Sequence, residues 1–365
     1  MKKAYVLFCG LIILTSVYGQ SVAIPAKSNG ASMERIANDV YAIIHDDATD
    51  EWPHGNTGVI VGNDAVLVVD ACYLPSMARE DIRMIKSITK KPVKYLVFTH
   101  WHFDHNNGTI AYKDSFPGIT VISERESQKF IELNAVWWSR RSAANGSTKR
   151  VGLAELEAQL ASGRDTSGAL LPKEKLDKLR TTINQRQNEL NELSELKVIT
   201  PDKTFNGSMI IDLGNKKVEI RDRGKANSPH DVTIYVSGDQ VLFTGDILVQ
   251  SPLPYLGSSW PVYWVKVLSE MEKIPIKAMV MGHGPVQKNH NYTRQVREFL
   301  ESTMKKVEAL IRQGKTIEQV QEAINMDEFK KGPWNPSVQG FLEEDWKYNL
   351  NTITERIWRG IRGQG

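Results

Sequence analysis

The sequence predicts an α/β fold carrying a helical insert and followed by a C-terminal helical extension. Three observations carry this reading. Short β-branched runs separated by turns fill residues 40–70 and 203–244. A hydrophobic strand at Val93 to Thr99 ends directly on a cluster of histidines, the place where α/β sheets put their chemistry. Between them, from about Glu124 to Leu196, the chain is charged and its apolar residues fall at helical spacing.

In order along the chain, Lys2-Lys3 precedes an apolar stretch from Ala4 through Leu14 and small residues ending at Gly19. This has the form of an export signal over residues 1–20, with cleavage after Gly19 or after Ala23, and it is too short to span a bilayer. Val40 to Ile44, Thr57 to Val61 and Val66 to Val69 read as antiparallel strands, the last two joined by the turn Gly62-Asn63-Asp64. A helix over Ser76 to Ser87 leads into the strand Val93 to Thr99.

In the insert, about 124–200, Leu176, Leu179, Ile183, Leu190, Leu193 and Leu196 follow Pro172 in three- and four-residue steps, interrupted at Arg186. This predicts a helical hairpin whose seam packs on its own partner helix, with a dimer surface as the alternative. Trp137-Trp138 and Arg140-Arg141 open it. Strands resume at Lys203 to Phe205, Met209 to Leu213, Val218 to Arg221, Asp231 to Val236 and Gln240 to Thr244. Asn206-Gly207 and Gly214-Asn215 are read as hairpin turns. Ala278 to Met281 is the last strand, so that the main domain spans 21–290. Tyr292 to Gln313 and Thr316 to Ile324 are helices of the extension, 291–365, which either packs on the core or supports a dimer.

At 365 residues, 41% hydrophobic and 24% charged, the chain can bury a substantial core. A net charge of +3 with dispersed basic residues gives no track for nucleic acid and no anionic-membrane face, so a small-molecule substrate is expected. Once the signal and its Cys9 are gone, Cys72 alone remains, so an internal disulfide is excluded and a buried apolar role is expected.

The chemistry concentrates in His100-Trp101-His102-Phe103-Asp104-His105. Two histidines two residues apart at a strand exit can converge on one ion, while Asp104 and His105 face a second position. Imidazole and carboxylate are donors that zinc favours.

With Asp70 after a hydrophobic strand, Thr99 to His105 followed by Asn107-Gly108, Phe243-Thr244-Gly245-Asp246 and Gly282-His283-Gly284-Pro285 in this order, the chain resembles the metallo-β-lactamase superfamily. The resemblance implies a four-layer αβ/βα sandwich with a dinuclear zinc site between the sheet edges. It implies that His100 and His102 hold the first metal, that Asp104, His105 and His283 hold the second, and that Asp246 bridges them. Asp70 would orient a ligand from behind, and Asp104 and Asp246 are the carboxylates nearest the chemistry.

The sequence departs from the family pattern at Asn227, which stands where the first metal's third histidine is expected. Either Asn227 offers a neutral oxygen there or His230, three residues on, replaces it. Zinc sites are mostly built from nitrogen, sulfur and carboxylate, so one or two ions are expected, the second more securely held than the first. His54, in a loop before a strand, is a candidate pocket residue, as is the segment Leu253 to Trp264. The function implied is hydrolysis of an amide, lactam, lactone or ester by metal-activated water. Two alternatives stand beside it: a non-catalytic metal or ligand binder, motivated by Asn227, and iron-dependent redox chemistry. Against the latter, diiron relatives carry Glu at the position of His102, and persulfide dioxygenases need the histidine replaced by Asn227. Oligomeric state is left open.

Overall fold

A computed structural model describes residues 30–45, 54–133, 148–250, 253–334 and 343–364. The signal segment and Trp137 to Arg141 lie outside the described residues. Seven strands form the first sheet in sequence order: β1 (Ala31–Ala37), β2 (Val40–His45), β3 (Thr57–Val61), β4 (Val66–Val69), β5 (Val93–Val97), β6 (Thr120–Glu124) and β7 (Lys203–Phe205). The first four are antiparallel neighbours, and β4 through β7 run parallel. The second sheet has the order β12-β11-β10-β9-β8, from β8 (Ser208–Asp212), β9 (Lys217–Asp222), β10 (Val232–Val236), β11 (Val241–Phe243) and β12 (Ala278–Val280). Its last pair is parallel.

Strand periodicity explains the layering. In β4, Leu67 and Val69 point into the core between the sheets with Ile60, Val97, Ile220, Ile234 and Phe243. Val66 and Val68 point the other way, to Ala78, Ile82 and Ile85 of α1 (Pro75–Ile88) and to Ala111 and Tyr112 of α2 (Thr109–Ser115). On the outer face of the second sheet, Leu242 and Met279 meet Trp264 and Leu268 of α6 (Pro261–Met271). Val296 and Leu300 of α7 (Asn291–Arg312) and Ile353 and Ile357 of α10 (Glu343–Ile361) complete that same cluster. The order is therefore helix, sheet, sheet, helix. The C-terminal helices, with α8 (Ile317–Ala323) and α9 (Met326–Lys330), build the fourth layer.

The turn Asn206-Gly207 is not a hairpin. β7 pairs with β6, whereas β8 pairs with β9 in the other sheet, so this turn carries the chain across the sandwich. The expectation rested on local turn chemistry, which fixes the reversal of the backbone and not the sheet each arm joins. Gly214-Asn215 does close the β8–β9 hairpin.

After a helical stretch at 125–133 (α3), α4 (Thr148–Ser162) packs on α5 (Lys173–Glu195), where Ile183 and Leu193 are buried. Polar groups of α5 anchor the insert to the sandwich. Glu189 accepts from the Tyr73 hydroxyl at 3.0 Å, and Glu192 accepts from the backbone N–H of Ser76 at 2.9 Å. That second carboxylate satisfies a free donor at the N-terminus of α1, where negative charge is favoured.

Candidate metal centre

Parallel pairing of β4 with β5 and of β11 with β12 opens four strand ends toward one edge of the sandwich. Beyond β4 comes Asp70, whose φ of 61° lies in the left-handed region, at a cost of roughly 1 kcal/mol that aspartate tolerates better than most residues. Beyond β5 comes the histidine run, ending in a single 3-10 turn, Phe103–His105. A matching turn after β11, Gly245–Ile247, presents Asp246, and His283 follows β12. The two halves are tied here by a backbone bond from Val232 N–H to the Thr99 carbonyl at 2.8 Å.

Proton accounting identifies the ring nitrogen each histidine turns inward. Asp70 accepts from Thr99 N–H and from the Thr99 hydroxyl, both at 2.8 Å, and from His105 Nδ1 at 2.9 Å. His105 Nε2 therefore carries the lone pair. Since the Thr99 hydroxyl has spent its proton on Asp70, it accepts from His100 Nδ1 at 3.0 Å, which leaves the lone pair of His100 on Nε2. The Ser258 hydroxyl donates to the Asn227 carbonyl at 3.2 Å and accepts from His102 Nε2 at 2.9 Å, leaving the lone pair of His102 on Nδ1.

Those inward atoms face one another. His100 Nε2 and His102 Nδ1 are 2.9 Å apart, with Asp246 Oδ2 3.7 Å from the former. His105 Nε2 lies 3.1 Å from Asp246 Oδ1, 3.5 Å from Asp104 Oδ2 and 3.3 Å from His283 Nε2. His283 Nε2 is in turn 3.2 Å from Asp104 Oδ2 and 3.4 Å from Asp246 Oδ1. Lone pairs and carboxylate oxygens at such separations repel unless a cation lies among them, so this donor set fits divalent metal. One group comprises Asp104, His105, Asp246 and His283, the other His100, His102 and Asp246, all buried. Asp246 turns one oxygen to each.

The electrostatics agree. Burial first, and then the neighbouring histidines, hold the His100 imidazole well below its usual range. Burial likewise brings His102 down to about 4. Both are therefore neutral, the form that ligates metal. His105 goes the other way: burial lowers it, but Asp246, Asp104 and Asp70 together hold it well above the usual imidazole range. For Asp104 and Asp246 burial pushes upward and is outweighed by His105 and His283, so both stay below the usual carboxylate range. The second group thus favours positive charge at its middle.

Asn227 and His230 are sorted by a tight loop. The Asp231 carboxylate accepts from Ser228 N–H at 2.7 Å, and the Ser228 hydroxyl donates to the His230 carbonyl at 3.0 Å. Asn227 is wholly buried, its amide N–H donates to the Tyr255 carbonyl at 3.1 Å, and its Oδ1 has no hydrogen-bond partner. His230 turns instead to Asp222 at 3.1 Å and Glu124 at 3.8 Å, apart from both metal-site groups. The His230 ring is thus paired with the carboxylates of Asp222 and Glu124. His54 stacks on Tyr73 with ring centroids 5.8 Å apart, next to Gly55, whose N–H donates to the Asp104 carbonyl at 3.3 Å.

Three positioning residues escaped the sequence reading. Ser258 lay in a segment read only as a pocket wall, and Thr99 only as the start of a motif. Asn56 binds the opposite loop through its amide, which donates to the Met281 and Gly284 carbonyls at 3.0 and 2.9 Å. Its backbone N–H donates to the Gly282 carbonyl at 2.7 Å. Such long-range pairings leave no local signal. Tyr255, half-exposed, sets its ring edge-on to His102 at 5.5 Å and walls the mouth of the site.

Comparison with known proteins shows what the chain is similar to. The model of the Metallo-beta-lactamase superfamily matches residues 50–283. A linear primary-alkylsulfatase from a Pseudomonas species is 23% identical over 232 residues, which is 62% of this chain and 40% of that protein. The chain thus spans well under half the length of that curated relative. Among solved structures, a metallo-beta-lactamase from Pontibacter korlensis superposes with a TM-score of 0.51 at 16% identity, covering 74% of this chain and 99% of its own.

Proposed function

From a chain that belongs to the metallo-beta-lactamase superfamily, we propose a zinc-dependent hydrolase acting on an ester, lactone, lactam or amide of a small molecule. Sulfate esters join that set because of the alkylsulfatase relative. The observation that carries the reading is the convergence of the imidazole nitrogens of His100, His102, His105 and His283 with Asp104 and Asp246 at 2.9–3.7 Å. When bound, zinc supplies Lewis acidity and draws the pKa of a coordinated water toward about 7.

The chain's own residues do the rest. Asp70 and Thr99 hold His105 and His100 in the ligating tautomer, and Ser258 does so for His102. Asp246, with one oxygen in each group, would be shared by two ions. Asn227, offering an amide oxygen where an imidazole would bind more strongly, makes the first position the weaker one. Tyr255 and His54 would flank the substrate. The N-terminal apolar stretch adds export to the proposal, which N-terminal sequencing of the mature protein checks.

The test is metal content together with turnover of a chromogenic cephalosporin, lactones, carboxylic esters and a primary alkyl sulfate, each with a chelator control. Chelator-sensitive hydrolysis of at least one class is expected. No turnover with zinc, manganese or iron supplied would overturn the enzyme reading in favour of a non-catalytic binder. Asn227→His should raise the retained metal. Two tightly held zincs in the native chain would remove the weak-site argument.

A further inference from the structure

A second set of buried donors lies outside the metal centre. His45 closes β2, Cys72 follows β4, and Asp81 sits within α1; their exposures are 4%, 0% and 0%. One ligand atom from each lies within 4.8 Å of the others.

The protons again decide what this cluster needs. His45 Nδ1 is 2.8 Å from the Gly55 carbonyl oxygen, which can only accept, so Nδ1 carries its hydrogen. Nε2 then points its lone pair at Asp81 Oδ1, 3.0 Å away. Asp81 Oδ2 is already served by the Thr57 hydroxyl at 2.7 Å. An imidazole lone pair facing a buried carboxylate oxygen requires a cation between them, either a proton or a metal ion. Donation of the remote N–H to a backbone carbonyl is how metal-bound histidines are held.

The donor set favours metal. Cys72 adds sulfur to nitrogen and carboxylate, which is a zinc donor set. A proton between imidazole and carboxylate, with the thiol intact, also leaves the cluster neutral, so the sulfur is what points to metal; with thiolate and carboxylate a divalent cation likewise leaves no net charge in the buried setting. The Tyr112 hydroxyl is fully buried, and after burial the charges of Asp81 and then Cys72 most oppose its ionisation, so it borders the same cluster.

We propose that His45, Cys72 and Asp81 form a separate, sulfur-containing site for a divalent ion of the zinc class. Loading the site displaces the Cys72 thiol proton, which otherwise points to the Leu74 carbonyl 3.9 Å away. Its three residues are buried, and its role is to fasten α1 to the ends of β2 and β4. The proposal is independent of the hydrolase reading, because none of the residues assigned to the other centre carries sulfur.

That difference supplies the test. The full chain with Cys9→Ser, so that Cys72 is its only thiol, is produced in zinc-depleted, cobalt-supplemented medium. A near-ultraviolet thiolate-to-cobalt charge-transfer absorption is expected, together with one more metal equivalent than in Cys72→Ala. In that variant the absorption vanishes while chelator-sensitive hydrolysis persists. If Cys72→Ala does not fold, the absorption of the Cys9→Ser chain decides alone. A folded, cobalt-loaded protein with a reduced thiol and no such absorption would overturn the proposal and leave a buried imidazolium–carboxylate pair.

Discussion

Replacing Gly282 by alanine should unseat Asp246 while leaving the sandwich folded. A Cβ on Gly282 would stand 2.0 Å from Asp246 Oδ1, 2.8 Å from the Gly245 carbonyl carbon and 2.9 Å from the Asp246 backbone nitrogen, against an ordinary contact of 3.4 Å or more. Something must therefore move by well over an ångström. Residue 282 itself is pinned: its N–H donates to the Gly245 carbonyl at 2.9 Å and its carbonyl accepts from Asn56 N–H at 2.7 Å. Turning the carboxylate away relieves only the first contact, so the Gly245–Asp246 backbone must shift as well, and Asp246 is displaced in either case. Overpacking of this kind costs about 1–3 kcal/mol in stability. The loss at the centre is larger in kind, because Asp246 faces both ligand groups, and an affinity drop of at least the 10–100-fold typical of disturbed supporting residues is expected for each ion. Metal content after dialysis against a graded chelator series, with circular dichroism to confirm folding, reads this directly. A folded Gly282→Ala protein that keeps wild-type metal content and turnover would refute the placement of Asp246 at the junction.

Further outcomes follow from the same network. Asp70→Asn replaces an acceptor of three hydrogen bonds with a group that can donate to His105, so metal retention should fall about 10–100-fold with little change in helix content, as measured by chelator competition. Ser258→Ala frees His102 to take the wrong tautomer and should weaken chiefly the first position, leaving one ion held as before in a stoichiometry titration. Burial holds the Asp231 carboxyl up at about 7, above its unfolded value. As pH rises from about 4 to about 7 the unfolded chain gives up this proton while the folded chain keeps it, so Asp231 costs stability in that window. Asp231→Asn in metal-free protein should therefore gain stability relative to wild type across the window, by up to about 4 kcal/mol, in paired urea melts at pH 5 and pH 8. A constant difference between those melts would count against it.

The metal-site histidines were legible because four donors sit within six residues at a strand exit, a density that chance rarely supplies. Asp246 and His283 were legible through the order of motifs along the chain. What stayed hidden depends on pairing across the fold. β1 and β6 carry short, mixed patterns that only their neighbours turn into strands. Asn206-Gly207 has the chemistry of a hairpin and the job of a crossover. Ser258 earns its role through contact with a histidine 156 residues away, and His45 and Asp81 meet over 36. Asn227 was visible as a departure, but that the loop turns the His230 ring toward Asp222 and Glu124 was not.

The Asn56 clamp also says something about how the molecule comes into being. Its amide reaches the Met281 and Gly284 carbonyls across 225 and 228 positions, and contacts of such separation form late because loop closure must precede them. The histidine run emerges from synthesis long before Asp246 and His283 exist to complete its two groups. Capacity to hold metal is accordingly a property of the finished chain, acquired in one of the last steps of folding, and the nascent chain has little with which to compete for the ion.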